Sequence, residues 1–361
     1  MKRDSQNYTG EIGSAGERRE TASPKLQFEI FFGDHASGAD AKTFLAKAKD
    51  ADIIGFEKSG IEPNMIKLLR QLSAGIPVDY RVRQTDNWEF GEQLLQGIRE
   101  MKKPVLLADL HKGLGSFLYD TYSAFHSRQS QEALLDFCEG NFDAAMRRIK
   151  LCEILSVKPN EFRERIIAAR LEPQTKKLLK TNPQLRGKNS LHAIFFLGRA
   201  HTPIMHERSL PESARMGIAH AYLKTYYEQI YQLRRRKRDV PDELYARLIA
   251  ESAIRLFLDQ KYGLKKDDVP SFAMITNAAH LITRRMKENE IRELSSSLGK
   301  AEDERDLSEE TDQSDAAEKS FFRPKQMDMI EALVEQKGMP LPSSFKELDT
   351  FISAHEPRWK L

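Results

Sequence analysis

The chain has 361 residues and a formal net charge of +3, with 40% hydrophobic and 31% charged residues. This length is enough for one large domain with appendages or for two modest domains, and the composition is typical of a folded soluble protein. The small net charge gives no indication of binding to nucleic acid or to an anionic membrane.

The opening of the chain carries no recognisable targeting signal. Residues 1–25 are polar and mixed in charge, which predicts a disordered tail. No apolar stretch reaches the roughly 18 residues that a membrane span needs. The two cysteines, Cys138 and Cys152, have neither metal-ligand nor disulfide spacing, so we expect buried thiols in a reducing compartment. These features predict a cytoplasmic protein.

Four short apolar runs predict strands that are buried on both faces. They are Leu26–Phe32, Asp52–Phe56, Pro104–Ala108 and His192–Leu197. A helix-forming stretch, Ala39–Lys49, separates the first two and completes a strand–helix–strand unit, which implies parallel strands. We therefore predict an α/β fold with a mainly parallel sheet flanked by helices, a helical insert and a helical C-terminal extension.

Helical spacing of apolar residues predicts that most of the remaining chain is helical. Asn160 is expected to cap one of these helices, and Pro211 to open another with Ala214, Ile218, Ala221 and Tyr222 on one face. The basic run 234–238 is interpreted as a solvated helix end, because no aromatic stacking platform surrounds it. The other predicted helical segments are Ser130–Leu155 with a break near Gly140, Glu161–Leu171, Pro241–Tyr262 and Ser271–Leu294.

Composition predicts two domain boundaries. Residues 26–298 form the α/β domain, and residues 299–320 are strongly acidic without an aromatic residue, which predicts a flexible linker. Residues 321–361 regain helical apolar spacing, interrupted by Pro340 and Pro342, and predict a helical hairpin that docks on the main domain or on a protein partner.

Polar side chains follow all four predicted strands. The strand ends read Gly33-Asp34-His35, Glu57, Asp109-Leu110-His111 and Gly198-Arg199-Ala200-His201. One such residue alone is more often a cap or a surface group, but the carboxyl ends of parallel strands meet at one edge of a sheet. Imidazole and carboxylate groups gathered there can bind a transition metal or perform general acid–base catalysis.

The order of these motifs resembles a known superfamily. A strand ends in a Gly–His turn, a second strand ends in Glu57, an Arg-bearing helix follows at 163–168, and a later strand ends in Gly-x-x-His at 198–201. This resembles the superfamily of TraB pheromone-shutdown proteins, Tiki membrane proteases, erythromycin esterases and haem-binding ChaN proteins. The resemblance covers roughly residues 26–205, and the Gly33–His35 turn is shorter than the family pattern.

The resemblance implies roles for individual residues. His35 and His201 would be metal ligands or general bases, and Glu57 a further ligand or the base that activates water. Arg163 would stabilise an oxyanion or hold a substrate carboxylate. Asp34 would orient His35. From the strand-end argument alone, Asp109 and His111 are added to the candidates, with His111 equally well interpreted as a surface residue.

Three classes of function follow. The first is a hydrolase that cleaves an ester or peptide bond in a small-molecule or peptide substrate, with His and Glu acting directly or through a divalent metal such as Zn, Mn or Co. The second is a protein that binds a peptide, a small ligand or, less favoured, haem in the same cleft without turnover. The third is an interaction protein that uses residues 321–361. Nucleic acid and a membrane span are not expected.

Overall fold

The computed structural model describes residues 24–33, 38–58, 61, 63–76, 88–218, 225–263, 269–303 and 321–356. Asp34 and His35, two of the predicted site residues, lie outside the described residues. So do residues 1–23 of the predicted tail and residues 304–320 of the predicted linker.

The described residues contain one all-parallel sheet, which confirms the predicted α/β fold. Its strands follow the order β3-β2-β4-β1-β5. The two central strands, β1 and β4, pair in register along their whole length, so that Gly33 lies beside Gly198 at the carboxyl edge. The strands are β1 (Lys25–Gly33), β2 (Ile53–Phe56), β3 (Val105–Leu106), β4 (Ser190–Gly198) and β5 (Ala214–Ile218).

The strand β5 corrects the predicted helix after Pro211. Residues from Ala214 to Ile218 pair in parallel with Phe28–Phe32 of β1. Spacing of apolar residues by four also suits a helix, but β1 would otherwise leave a row of backbone groups without partners. Gly217 further weakens the helical alternative. Ala221 and Tyr222, predicted to continue that helix, lie outside the described residues.

Helices cover both faces of the sheet. On one face, Phe44 of α1 packs on Phe31 and Phe196 of the central strands. On the other face, Ile167 and Leu171 of α5 pack on the opposite side chains of the same strands. The helices of this part are α1 (Gly38–Ala48), α2 (Pro63–Ser73), α3 (Trp88–Met101), α4 (Leu114–Cys138) and α5 (Phe142–Thr181).

Helix α5 corrects the predicted cap at Asn160. The predicted break near Gly140 is present, where the glycine has φ +86°, but the helix that follows runs 40 residues and passes through Pro159. A proline inside a helix costs about 3 kcal/mol. Pro159 has no N–H to donate to the carbonyl of Leu155. Leu155 is exposed, so water can hydrogen-bond to this carbonyl instead. Burial of the following turns against the sheet outweighs the remaining cost.

The apolar residues of α5 do not all lie on its buried face. Phe162 and Ala169 are exposed. The buried face instead carries Arg163, Glu164, Ile167, Ala168 and Leu171, so two charged side chains enter the protein beside an apolar stripe.

The second half of the chain forms a helical part with one shared core. The predicted helix Pro241–Tyr262 is confirmed, whereas Ser271–Leu294 is divided between two helices. Buried residues of the C-terminal pair, such as Ile330 and Phe351, share the core with Phe257. The helices are α6 (Tyr226–Arg235), α7 (Asp242–Tyr262), α8 (Val269–Arg284), α9 (Glu288–Asp303), α10 (Pro324–Gln336) and α11 (Leu348–His355).

The structure bears on both ends of the predicted acidic linker. Helix α9 continues to Asp303, so the first five residues of the predicted linker are helical. The C-terminal pair α10 and α11 packs on α7, α8 and α9 and buries its apolar residues there. Among the described helices, none is both long enough and apolar enough to cross a bilayer.

Candidate active site

A cavity of about 380 Å³ lies between the carboxyl edge of the sheet and the helical part. Gly33, Glu57 and Gly198 contribute the strand ends to its wall, and His201 contributes the segment after β4. Helices α7 and α8 close the opposite side with Leu248, Glu251, Ser252, Arg255 and Thr276. The sequence predicted this edge of the sheet, and the structure brings the strand ends together there.

Glu57 lies at the centre of the polar contacts. It follows β2 directly, and its backbone N–H donates to the carbonyl of Phe196 at 2.9 Å, which continues the pairing with β4. Its Oε2 accepts from the backbone N–H of Gly198 at 2.8 Å. Its Oε1 contacts both Nε2 of His201, at 3.2 Å, and the guanidinium of Arg163. The carboxylate is therefore held from three sides at the cavity wall.

Arg163 reaches this carboxylate from α5 and is only 4% exposed. Its Nε donates to Oδ1 of Asp109 at 3.0 Å, and Nη1 donates to the hydroxyl of Tyr119 at 2.7 Å. Burial opposes the charge of Arg163, but Glu57 and Asp109 outweigh burial and raise the pKa of the guanidinium well above its usual value. Arg163 is a fixed cation that joins two strand ends to α5.

Asp109 follows β3 and is fully buried. Besides Arg163, its carboxylate accepts from the backbone N–H of Lys58 at 2.8 Å and from that of Leu110 at 2.6 Å. The backbone carbonyl of Asp109 accepts from Arg170 at 2.7 Å. Asp109 thus ties the ends of β2 and β3 to α5, and it supports the site from behind Arg163.

His201 is held between two carboxylates. It lies in the 3₁₀ segment Arg199–His206 after β4 and is 4% exposed. Its Nε2 faces Glu57, and its Nδ1 faces Oε1 of Glu164 at 3.1 Å. An imidazole fixed in this way has a defined orientation, and its Nε2 lies close enough to the Glu57 carboxylate for a proton to pass between the two groups.

Glu164 is a site residue that sequence reasoning missed. It is fully buried, and it also accepts from the hydroxyl of Tyr231 at 3.0 Å and from the guanidinium of Arg235. A signal was present, because Glu164 stands at the first position of an i, i+3, i+4, i+7 pattern whose other members are buried and apolar. Arg235, predicted to be solvated at a helix end, instead turns inward to this carboxylate.

Aromatic and charged groups complete the cavity wall. Tyr119 stacks under Arg163, with the guanidinium carbon 4.5 Å from the ring centroid, and burial raises the pKa of its hydroxyl. Arg199 donates to Glu228 at 3.0 Å, and Glu228 is fixed in turn by the backbone N–H of Thr225 at 2.8 Å. Arg199 and His201 lie on the same 3₁₀ segment, so this wall presents a positioned guanidinium beside the imidazole.

His111 does not join the site. It is exposed, and its backbone forms an isolated bridge with Ile61 outside the cavity wall. Partial burial, followed by the nearby cations Arg170 and Lys177, lowers the pKa of its imidazole. Of the two interpretations left open by the sequence, the structure places His111 at the surface.

The predicted metal ligands do not form a metal site from the described residues. Of His35, Glu57 and His201, the first lies outside the described residues. The other two supply one carboxylate and one imidazole, and Glu57 Oε1 already holds the guanidinium of Arg163. A dication at this oxygen would face a fixed buried cation at close range, which is strongly unfavourable. We derive no metal-dependent step at this site.

A second polar cluster lies on α4 and α5, beyond one wall of the cavity. It joins His126, Cys152 and Glu153, with Nε2 of His126 3.1 Å from Oε1 of Glu153. Burial lowers the pKa of His126, but hydrogen bonds with Cys152 and Glu153 outweigh burial and raise it to about 10. Cys138 is the other free cysteine and is buried separately at the end of α4.

Comparison with known proteins adds no relative. No protein-family model matches the chain, and neither a curated protein nor a solved structure matches it. The resemblance to the TraB, Tiki, erythromycin esterase and ChaN superfamily therefore stays a prediction from the sequence motifs alone.

Proposed function

We propose that this protein is a hydrolase that cleaves an ester or peptide bond in the cavity at the carboxyl edge of the sheet. The observation that carries the proposal is the shared position of Glu57 Oε1, in contact with both His201 and Arg163 at the cavity wall. Imidazole and carboxylate in hydrogen-bond reach are the groups that general acid–base catalysis requires.

The chemistry assigns one role to each group. The His201–Glu57 pair accepts a proton from water as the water oxygen attacks the substrate carbonyl carbon. When the tetrahedral intermediate collapses, the C–O or C–N bond breaks and the same pair returns the proton to the leaving group. Glu164 orients the imidazole, and Arg163 fixes the Glu57 carboxylate. Arg199, on the wall, supplies positive charge to the developing oxyanion.

A second candidate is a protein that binds a ligand in the same cavity without turnover. The observation that favours it is that both ring nitrogens of His201 already face carboxylate oxygens. A base in this arrangement must exchange one partner before it can accept a proton from water. The cavity volume of about 380 Å³ is also within the range of small-ligand sites, about 300–1,000 Å³.

The test is a screen of the purified full chain against activated esters and short peptides, repeated with His201→Asn and Glu57→Gln. His111→Asn is the matched control, because His111 is exposed outside the cavity. We expect kcat/KM to fall about 10²- to 10⁴-fold in the two site variants and to stay within about twofold in the control. Thermal unfolding of each variant verifies that it is folded.

Two results would decide against hydrolysis. Folded site variants that hydrolyse the same substrate at the wild-type rate would remove His201 and Glu57 from the mechanism. Absence of turnover, together with a ligand that raises the melting temperature of the wild type but not of His201→Asn, would establish the binding protein instead.

A further inference from the structure

The cluster of His126, Cys152 and Glu153 has no part in the proposed hydrolysis. Helices α4 and α5 pack against each other as a hairpin and bring the three side chains together. One ligand atom from each residue, an imidazole nitrogen, the thiol sulfur and a carboxylate oxygen, lies within 4.8 Å of the other two. A search of the described residues for three or more potential ligands this close together finds this group.

The distances are those of a site that needs little adjustment to take a metal. Nε2 of His126 lies 3.1 Å from Oε1 of Glu153. Bonds of about 2.0–2.3 Å arranged tetrahedrally around zinc place the ligand atoms roughly 3.3–3.8 Å apart. Cys152 Sγ is held near the same place, 3.5 Å from the carbonyl oxygen of His126 and 3.5 Å from the hydroxyl of Ser130.

An unpartnered carboxylate oxygen indicates that this cluster can bind a cation. Glu153 is 1% exposed, and its second carboxylate oxygen, Oε2, is buried without a hydrogen-bond partner in the described structure. A buried carboxylate oxygen without a partner is unfavourable, since it has lost its water. Its neighbour Cys152 is also fully buried and carries no disulfide. A metal ion bound by both side chains would satisfy the carboxylate and use the thiol.

Space for a further ligand is present beside the cluster. A cavity of about 130 Å³ is lined by His126, Ser130 and Glu153. This volume exceeds the roughly 30 Å³ that one water occupies in the liquid. Tyr227, Leu248 and Ser252 line both this cavity and the larger one at the sheet edge. The two cavities are therefore neighbours that share one wall.

We propose that His126, Cys152 and Glu153 bind one zinc-class divalent ion, with a water from the adjacent cavity as fourth ligand. Thiolate together with imidazole selects borderline-soft ions such as Zn²⁺ or Co²⁺ over Mg²⁺ and Ca²⁺. Three protein ligands and one water is the arrangement of zinc sites that keep an open position. The ion joins α4 to α5, so it stabilises the hairpin that carries Arg163 and Glu164.

The experiment uses the full chain, freed of metal by chelation and titrated with Co²⁺ as a spectroscopic probe. We expect one equivalent to bind with visible bands of tetrahedral cobalt and an ultraviolet thiolate-to-cobalt charge-transfer band. Cys152→Ser should abolish the charge-transfer band, whereas Cys138→Ser, the matched control at the other buried cysteine, should keep it. His126→Gln and Glu153→Gln should weaken Co²⁺ binding at least about tenfold.

A second readout is independent of the thiolate spectrum. Added Zn²⁺ should raise the melting temperature of the wild type and of Cys138→Ser, but not that of Glu153→Gln. Wild-type protein that gives no thiolate band would overturn the proposal. Equal loss of the band in Cys138→Ser, or undiminished Co²⁺ binding by folded Glu153→Gln and His126→Gln, would overturn it as well.

Discussion

Arg163 and Glu164 are consecutive on α5 and hold the two members of the Glu57–His201 pair from opposite sides. Arg163 contacts the carboxylate of Glu57, and Glu164 faces Nδ1 of His201 at 3.1 Å. One turn of a single helix therefore sets the relative position of two residues that come from different strand ends. Buried charges are retained in a protein when each is paired, and here the charges of Arg163 and Glu164 are both paired.

The first prediction concerns the guanidinium of Arg163. Arg163→Lys keeps the charge but cannot contact Glu57, Asp109 and Tyr119 together, because one ammonium lacks the planar fork. We expect the free energy of unfolding, measured with denaturant, to fall by about 2–3 kcal/mol.

Arg165→Lys is the matched control for this change. Arg165 is 66% exposed, and its nearest carboxylate, that of Glu207, is 3.9 Å away. Its replacement should change the free energy of unfolding by less than about 0.5 kcal/mol. Equal effects of the two substitutions would show that the buried fork of Arg163 contributes nothing specific.

The second prediction concerns the contact between α9 and the turn that joins α4 to α5. A methyl group at Gly299 would lie 2.6 Å from the carbonyl oxygen of Glu139 and 2.8 Å from Cα of Gly140. Both atoms belong to the backbone, so Gly299→Ala should force the helices apart and lower the free energy of unfolding by about 1–3 kcal/mol.

Gly115→Ala, also within a helix, is the control for that substitution. Its methyl group would meet only the ring of Phe162 at 3.6 Å, an ordinary contact. Alanine is favoured over glycine in a helix by about 1 kcal/mol, so thermal unfolding should show no loss of stability. A Gly299→Ala protein as stable as Gly115→Ala would contradict the close approach.

The sheet and its functional edge could be predicted because their signals are local. The runs before Gly33, Glu57 and Gly198 are apolar and short, and the carboxyl ends of parallel strands meet by geometry. The strand β5 could not be predicted, because the spacing of Ala214 and Ile218 also suits a helix. Only the folded sheet shows that this segment pairs with the edge of β1.

Long-range polar pairs escaped prediction for a different reason. Glu164 and Arg235 are 71 residues apart. The apolar pattern on α5 indicates that Glu164 is buried, but no local pattern pairs it with Arg235 on another helix. His126 and Cys152 are 26 residues apart on two helices, so the sequence contains no short metal-ligand spacing that would predict the cluster. The identity of Arg163 as a site residue came from the superfamily resemblance, not from its helix.

The third prediction concerns Asp109, which the strand-end argument added to the candidates. In Asp109→Asn, the new amide N–H group would face the N–H donors of Lys58 and Arg163 that now bind the carboxylate. Arg163 would keep Glu57 as its remaining carboxylate. We expect a loss of at least about 2 kcal/mol in the free energy of unfolding, because a charged hydrogen-bond acceptor is removed from a buried site.

Asp143→Asn is the comparison for Asp109→Asn. Asp143 is 71% exposed and pairs with Arg292, itself half exposed, so its replacement should cost less than about 1 kcal/mol. Denaturant unfolding of the two variants measures the difference. Should Asp109→Asn prove as stable as Asp143→Asn, the link from β3 to Arg163 would not be a stabilising one.

The last prediction assigns Glu164 a positioning role. Glu164→Gln removes the charge that faces Nδ1 of His201 and leaves Arg235 without this carboxylate. The imidazole should then lose its fixed orientation and tautomer, and kcat/KM for the substrate found in the screen should fall on the order of 10²-fold. Glu172→Gln, at a 44% exposed position of the same helix, should leave the His201 tautomer and kcat/KM unchanged. The ¹⁵N chemical shifts of the His201 ring report its tautomer whether or not the protein turns a substrate over. Ring signals that are the same in Glu164→Gln and in Glu172→Gln would show that Glu164 is a structural residue without influence on His201.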